Sequence, residues 1–221
     1  MGKYVVLLHG LGRTNTAMEK MERFLSESGF IVYNLHYPST KHKINKLADL
    51  VYKMLEEKKL TEVKELNFVT HSLGGIILRV IAEKHHLRNW GHVVMLAPPN
   101  KGSQVVDYMR KTPLLYWVLG PAALELGTDS QGIAQKLPQR VDFSLGVIAG
   151  TSSINRIFSR FFLKGKKNDG KVTVENTKIE GMKDFITVEE NHTFIMNSSK
   201  VQKHVFSFLK TGHFASESNK H

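Results

Sequence analysis

The 221-residue chain is 41% hydrophobic, carries a net charge of +11 and contains no cysteine. The length suits one ordinary domain with a core of its own. Disulfides, thiolate nucleophiles and cysteine-ligated zinc are excluded, and no apolar run approaches the roughly 20 residues that span a bilayer.

The predicted elements alternate along the chain. Residues 4–8, Tyr-Val-Val-Leu-Leu, read as a buried strand. Met18, Met21 and Leu25 recur at helical spacing, with Gly29 where a helix should stop. Residues 30–35 form a second strand, and Ile44, Leu47, Val51 and Met54 mark one face of a second helix. Residues 66–69 are a third strand, followed by a helix carrying Ile77, Val80 and Ile81. A fourth strand at 93–96 leads into a long intermediate segment, 100–141, then a fifth strand at 143–149 and a sixth at 185–188. Val201, Val205 and Phe208 face one way on a last helix, and 212–221 read as a loose polar tail. Strands alternating with helices predict one α/β domain over 1–221, its mostly parallel sheet of about six strands covered on both faces. Ligands then bind beyond the carboxyl ends of the strands.

Chemistry-bearing residues fall at those ends. After the third strand comes Thr70-His71-Ser72-Leu73-Gly74-Gly75 and then a helix. This is the G-x-S-x-G elbow with threonine in its first glycine position. A sharp strand-to-helix turn exposes the Ser72 hydroxyl, and small neighbours let the turn pack. A serine nucleophile needs a base, and the base an orienting acid. Chain order selects His192, which follows the sixth strand and precedes the final helix. His85 and His86 fall at the far end of a helix, and His204 inside one. For the acid, Asp142 and Asp184 precede their strands, at the wrong edge of the sheet. Asp169 follows the fifth strand after a long approach, with Asp129 and Glu175 as fallbacks.

Several of these segments resemble the lipase and esterase branch of the α/β-hydrolases, particularly the small bacterial lipases. The first strand ends in His9-Gly10-Leu11-Gly12, like the His-Gly dipeptide of that branch, and Asn168-Asp169-Gly170-Lys171-Val172 is similar to its aspartate-bearing element. Tyr37-Pro38-Ser39 and the segment 97–103 match as well, so the resemblance runs from Val5 to about Leu209. It implies a minimal α/β-hydrolase fold lacking the first two strands, and an oxyanion hole made by the Leu11 and Leu73 amides. His9 is expected to be structural. The implied activity is hydrolysis of a small-molecule or lipid carboxylic ester through an acyl-enzyme on Ser72, with His192 as base and Asp169 as acid, and no cofactor or metal. Acyl transfer or amide cleavage by the same residues, or a binding protein on the same fold, are the other readings.

Partners and the substrate pocket are less specified. The basic clusters at 41–43, 58–59 and 164–167 do not interleave with aromatics, so nucleic acid is not an expected partner. The charge allows weak association with an anionic membrane surface. No secretory leader pattern opens the chain, which predicts a cytoplasmic protein, an exported mature form being the other reading. The apolar stretch 112–127 within the 100–141 insertion reads equally as a lid over an acyl pocket or as a helix packed into the core. Phe158, Phe161, Phe162 and Leu163, ahead of a basic run, read as a membrane-facing segment or as a buried helix.

Overall fold

The computed structural model describes residues 3–110, 119–153, 163 and 165–216. Six parallel strands form one sheet in the order β2-β1-β3-β4-β5-β6. They are β1 (Lys3–Leu8), β2 (Phe30–Leu35), β3 (Leu66–His71), β4 (Trp90–Leu96), β5 (Arg140–Gly150) and β6 (Glu180–Val188). The longer helices are α1 (Glu19–Glu27), α2 (Ile44–Glu57), α3 (Leu73–His85), α4 (Gln104–Met109) and α5 (Ser199–Thr211). Single turns lie at Pro121–Leu124, Ile133–Lys136 and Val174–Thr177.

Side-chain alternation along each strand sorts the core into two layers. Val6, Leu8, Phe68, Met95 and Val147 face α2 and α3, whose Leu47, Val51, Ile77 and Ile81 complete that layer. Their neighbours Val5, Leu7, Val69, Val94 and Ile148 face Met21 and Leu25 of α1 and Val201, Val205 and Phe208 of α5. β3, at the centre, is buried along its whole length, so its carboxyl end emerges in the middle of the crevice.

β5 and β6 begin earlier than expected. Arg140 pairs with Glu180, and register shifts separate that pairing from the regular ladder that runs from Gly146 to Gly150. Val141, Phe143 and Leu145 alternate with polar residues at the start of β5, so a strand-like period reaches back to its beginning, whereas Glu180, Lys183 and Asp184 at the start of β6 are polar and leave little apolar period to read. The tail expected to be loose is anchored at its start. Phe214 is buried, packs against Phe208, and donates its N–H to Asp184 Oδ2 at 2.8 Å.

Part of the segment expected as a lid lies outside the described residues, which resume at Leu119. Its described part is pinned to the body. Ala122 and Leu126 are buried in the first core layer. The Glu125 carboxylate accepts the Ile44 N–H at 2.7 Å, at the start of α2, and the Leu124 carbonyl accepts from the Arg110 guanidinium. Phe158, Phe161 and Phe162 also lie outside the described residues. Among the described residues no helix is long and apolar enough to cross a membrane.

Candidate active site

β3 ends at His71, and α3 starts at Leu73. The one residue between them, Ser72, has φ 52° and ψ −118°, backbone angles that cost a residue with a β-carbon of order 1–3 kcal/mol. The turn is held from both sides: Ser72 N–H donates to Leu96 O at 2.9 Å, and Gly75 N–H to Ser72 O at 3.0 Å. Gly74 is required by contact. A β-carbon there would fall 2.6 Å from the Leu8 carbonyl oxygen and 2.9 Å from Leu8 Cβ.

Thr70 occupies the elbow's first position without opening it. Its side chain is fully buried, and its hydroxyl sits beside Gly75, where a β-carbon would come within 3.3 Å. The second glycine of Leu73-Gly74-Gly75 thus makes room for the threonine. Among the described residues the Thr70 hydroxyl has no hydrogen-bond partner.

Three sequence-selected residues meet at this turn. Ser72 Oγ lies 2.9 Å from His192 Nε2. His192 Nδ1 lies 2.7 Å from Asp169 Oδ2, so Nδ1 carries the proton and Nε2 presents its lone pair to the hydroxyl. Asp169 is itself fixed. Its Oδ1 accepts the N–H groups of Lys171 and Val172 at 2.9 and 2.8 Å, and its carbonyl accepts the His192 N–H at 3.0 Å. All three residues are buried. The long approach to Asp169 closes at Gly150, the last residue of β5, where a β-carbon would lie 2.8 Å from Asp169 Cβ.

The fallback acids are engaged elsewhere. Asp129 pairs with Arg110 at 2.5 Å, and Glu175 with Lys101 and Lys178. Asp142 and Asp184 sit on the early parts of β5 and β6, away from the carboxyl ends.

The turn after β1 runs beside Ser72. A β-carbon on Gly10 would meet His71 Nδ1 at 2.8 Å and Ser72 Cβ at 3.3 Å, so only glycine lets the turn approach. Leu11 follows it, and the Gly12 amide is held by Ser39 Oγ at 3.1 Å. Leu73 opens α3, where helix amides have no intrahelical acceptor. His9 is structural: its ring stacks on Tyr37 at 4.0 Å, the Tyr37 hydroxyl donates to the His9 carbonyl, and burial pushes its pKa down to about 4.

His71 has a role that the sequence did not suggest. Its Nε2 donates to the His192 carbonyl at 2.9 Å, tying the elbow to the loop that bears His192. Burial, then the nearby His192, holds its imidazole well below the usual range and so neutral.

A cavity of about 270 Å³ opens onto Ser72 and His192. Leu11, Val105, Val106, Met109, Leu119 and Leu126 give it an apolar wall, while Arg13 and Lys171 also line it. Neither cation was singled out by the sequence, since the chain brings them together only through the sheet.

The parallel sheet, the strained serine at its central strand and the Ser-His-Asp contacts define a serine hydrolase of the α/β-hydrolase superfamily. Residues 4–138 match the sequence profile of the family described as Palmitoyl protein thioesterase, and the chain belongs to that family. It is a carboxylic ester hydrolase. Ser72 and Leu11 lie inside the matched segment; Asp169 and His192 lie beyond it. No curated protein sequence matches the chain.

Among solved structures, the mature lipase BlEst2 of Bacillus licheniformis is similar, with a TM-score of 0.76 and 20% identity over 96% of this chain and 93% of that one. The phospholipase PlaB of Legionella pneumophila has a TM-score of 0.62 and 18% identity, covering 80% of this chain and 46% of that one. The esterase EaEST of Exiguobacterium antarcticum has a TM-score of 0.60 and 14% identity, over 95% and 92%.

Proposed function

We propose that Ser72 attacks the acyl carbon of a carboxylic ester, with His192 as general base and Asp169 as its orienting acid. The observation that carries this reading is the unbroken run of contacts, 2.9 Å from Ser72 to His192 and 2.7 Å from His192 to Asp169, beside an apolar cavity. His192 Nε2 takes the hydroxyl proton as Oγ bonds to the acyl carbon, and returns it to the leaving alcohol. Water then attacks the acyl-enzyme by the same route, releasing the acid. The amides of Leu11 and Leu73 stabilise the developing oxyanion, each donor contributing about 3 kcal/mol. Asp169 keeps the proton on Nδ1 and balances the imidazolium charge.

The apolar wall suits an acyl chain. The family match favours a second reading of the same chemistry, in which the bond cleaved is a thioester; only the leaving group changes, from an alcohol to a thiol.

A fluorophosphonate probe, with acyl p-nitrophenyl esters and acyl N-acetylcysteamine thioesters as substrates, tests both. Wild type should be labelled and turn over at least one series. Ser72→Ala should lose labelling and activity together, and Asp169→Asn should lower kcat by about 10⁴-fold while remaining folded. Equal labelling of wild type and Ser72→Ala would sink the proposal. Near-normal turnover by Asp169→Asn would move the acid's role elsewhere.

A further inference from the structure

Arg13 and Lys171 stand out among the cations because they line the cavity of Ser72 and form no ion pair with a carboxylate among the described residues. Arg13 follows the Leu11 turn beyond β1, and Lys171 lies in the Asp169 loop beyond β5. Strand β3, which delivers Ser72, lies between those two strands in the sheet. The two side chains therefore approach the serine from opposite sides.

The backbone of each is tied down. Arg13 N–H donates to Gly10 O at 3.3 Å. Lys171 N–H donates to Asp169 Oδ1 at 2.9 Å, and its carbonyl accepts from Ser103 Oγ at 2.7 Å.

Four acids of the surrounding loops hold other partners. Asp107 holds the Thr128 amide and hydroxyl, Glu125 the Ile44 amide, Asp129 the Arg110 guanidinium, and Asp169 the His192 imidazole. Among the described residues neither Arg13 nor Lys171 takes part in an ion pair. The internal stretches 111–118 and 154–164 contain lysine and arginine but no aspartate or glutamate. Two like charges sharing one partly desolvated cavity repel, and an anion between them removes the repulsion and gains both attractions. Burial, then Arg13, pulls the Lys171 ammonium below its usual range, with Asp169 opposing.

We propose that the ester taken by this cavity carries an anionic group, a phosphate or a carboxylate, on the alcohol side of the scissile bond, held between Arg13 and Lys171. The acyl chain lies against Val105, Val106, Met109 and Leu126. The inference rests on the hydrolytic reading above and specifies its substrate class. The reaction balances as before: water adds across the acyl–oxygen bond, giving a carboxylic acid and an anionic alcohol.

The test compares three monomeric esters with the same acyl group: monohexanoylglycerol, its 3-phosphate, and hexanoyl glycolate. Monomeric substrates separate recognition in the cavity from attraction of the basic protein to a charged surface. The readout is the ratio of kcat/KM for each anionic ester to that for the neutral one, in which any change in folded fraction cancels. In wild type at least one ratio should be about tenfold or more, and whether phosphate or glycolate shows it identifies the anion. Arg13→Gln and Lys171→Gln should each bring that ratio towards one, and Lys171→Arg should keep it. Ratios near one in wild type, or a high ratio that survives both neutralising substitutions, would overturn the inference. Failure to turn over any of the three, with no fluorophosphonate labelling, would instead overturn the hydrolytic reading, and this inference with it.

Discussion

His9 and His71 are imidazoles kept neutral by burial, one behind the Leu11 turn and the other against His192. Below pH 6.5 the unfolded chain takes up a proton at His9 that the folded chain refuses until about pH 4. The unfolded state is therefore favoured progressively across that interval, by roughly 3 kcal/mol at its lower end. His71 acts in the same direction. The urea midpoint should fall between pH 7.5 and pH 4.5, and His9→Asn should fall less steeply over the same range. Parallel curves for the two proteins would remove His9 from the account. At this scale the sequence was informative wherever a residue type had one use at one position. Ser72 and His192 were selected that way, and Asp169 by its resemblance to a known element; the structure brings their side chains into contact. The contact of His71 was not legible, because its partner is a backbone carbonyl 121 residues away, and neither was the meeting of Arg13 and Lys171 in one cavity, which the sheet alone brings about.

The elbow shows how one element absorbs an unexpected residue. Thr70 fits because Gly75 yields the space, but its hydroxyl is buried with no partner among the described residues. A buried hydroxyl left unsatisfied costs about 1–3 kcal/mol, and replacing it with an apolar group of the same shape removes the penalty. Thr70→Val should raise the thermal midpoint by the equivalent of about 1 kcal/mol and leave fluorophosphonate labelling intact. A lower midpoint would mean that the hydroxyl has a partner of its own. Element order and type were legible from apolar periodicity, and α3 and β3 fell where the pattern put them. The beginning of β6 was not, since its first residues are paired through the backbone while most of their side chains are polar; that of β5 was written in the alternation of Val141, Phe143 and Leu145, although the strand was expected to start later.

For the molecule as a whole, Arg79 joins parts that the chain keeps far apart. It projects from α3, and its guanidinium donates to the Asn100 carbonyl beyond β4 and to the Pro138 carbonyl before β5, each at 2.8 Å. Burial lowers its pKa to about 10, which leaves it charged at neutral pH. Arg79→Met strands two carbonyls and should cost about 3 kcal/mol or more, read as a lower urea midpoint. The specific activity of the folded fraction should hold, because Arg79 lies away from the serine; an unchanged midpoint would deny the strap its importance. The strand order carries one more consequence. Ser72 leaves the central strand β3, whereas His192 leaves β6 at the sheet's edge, three strands further out. The 2.9 Å contact between them is thus a ruler laid across half the sheet. Labelling of the serine should respond to the first loosening of that margin, ahead of any change in the bulk helix signal, so the reaction serves as a gauge of edge-strand docking as well as of catalysis.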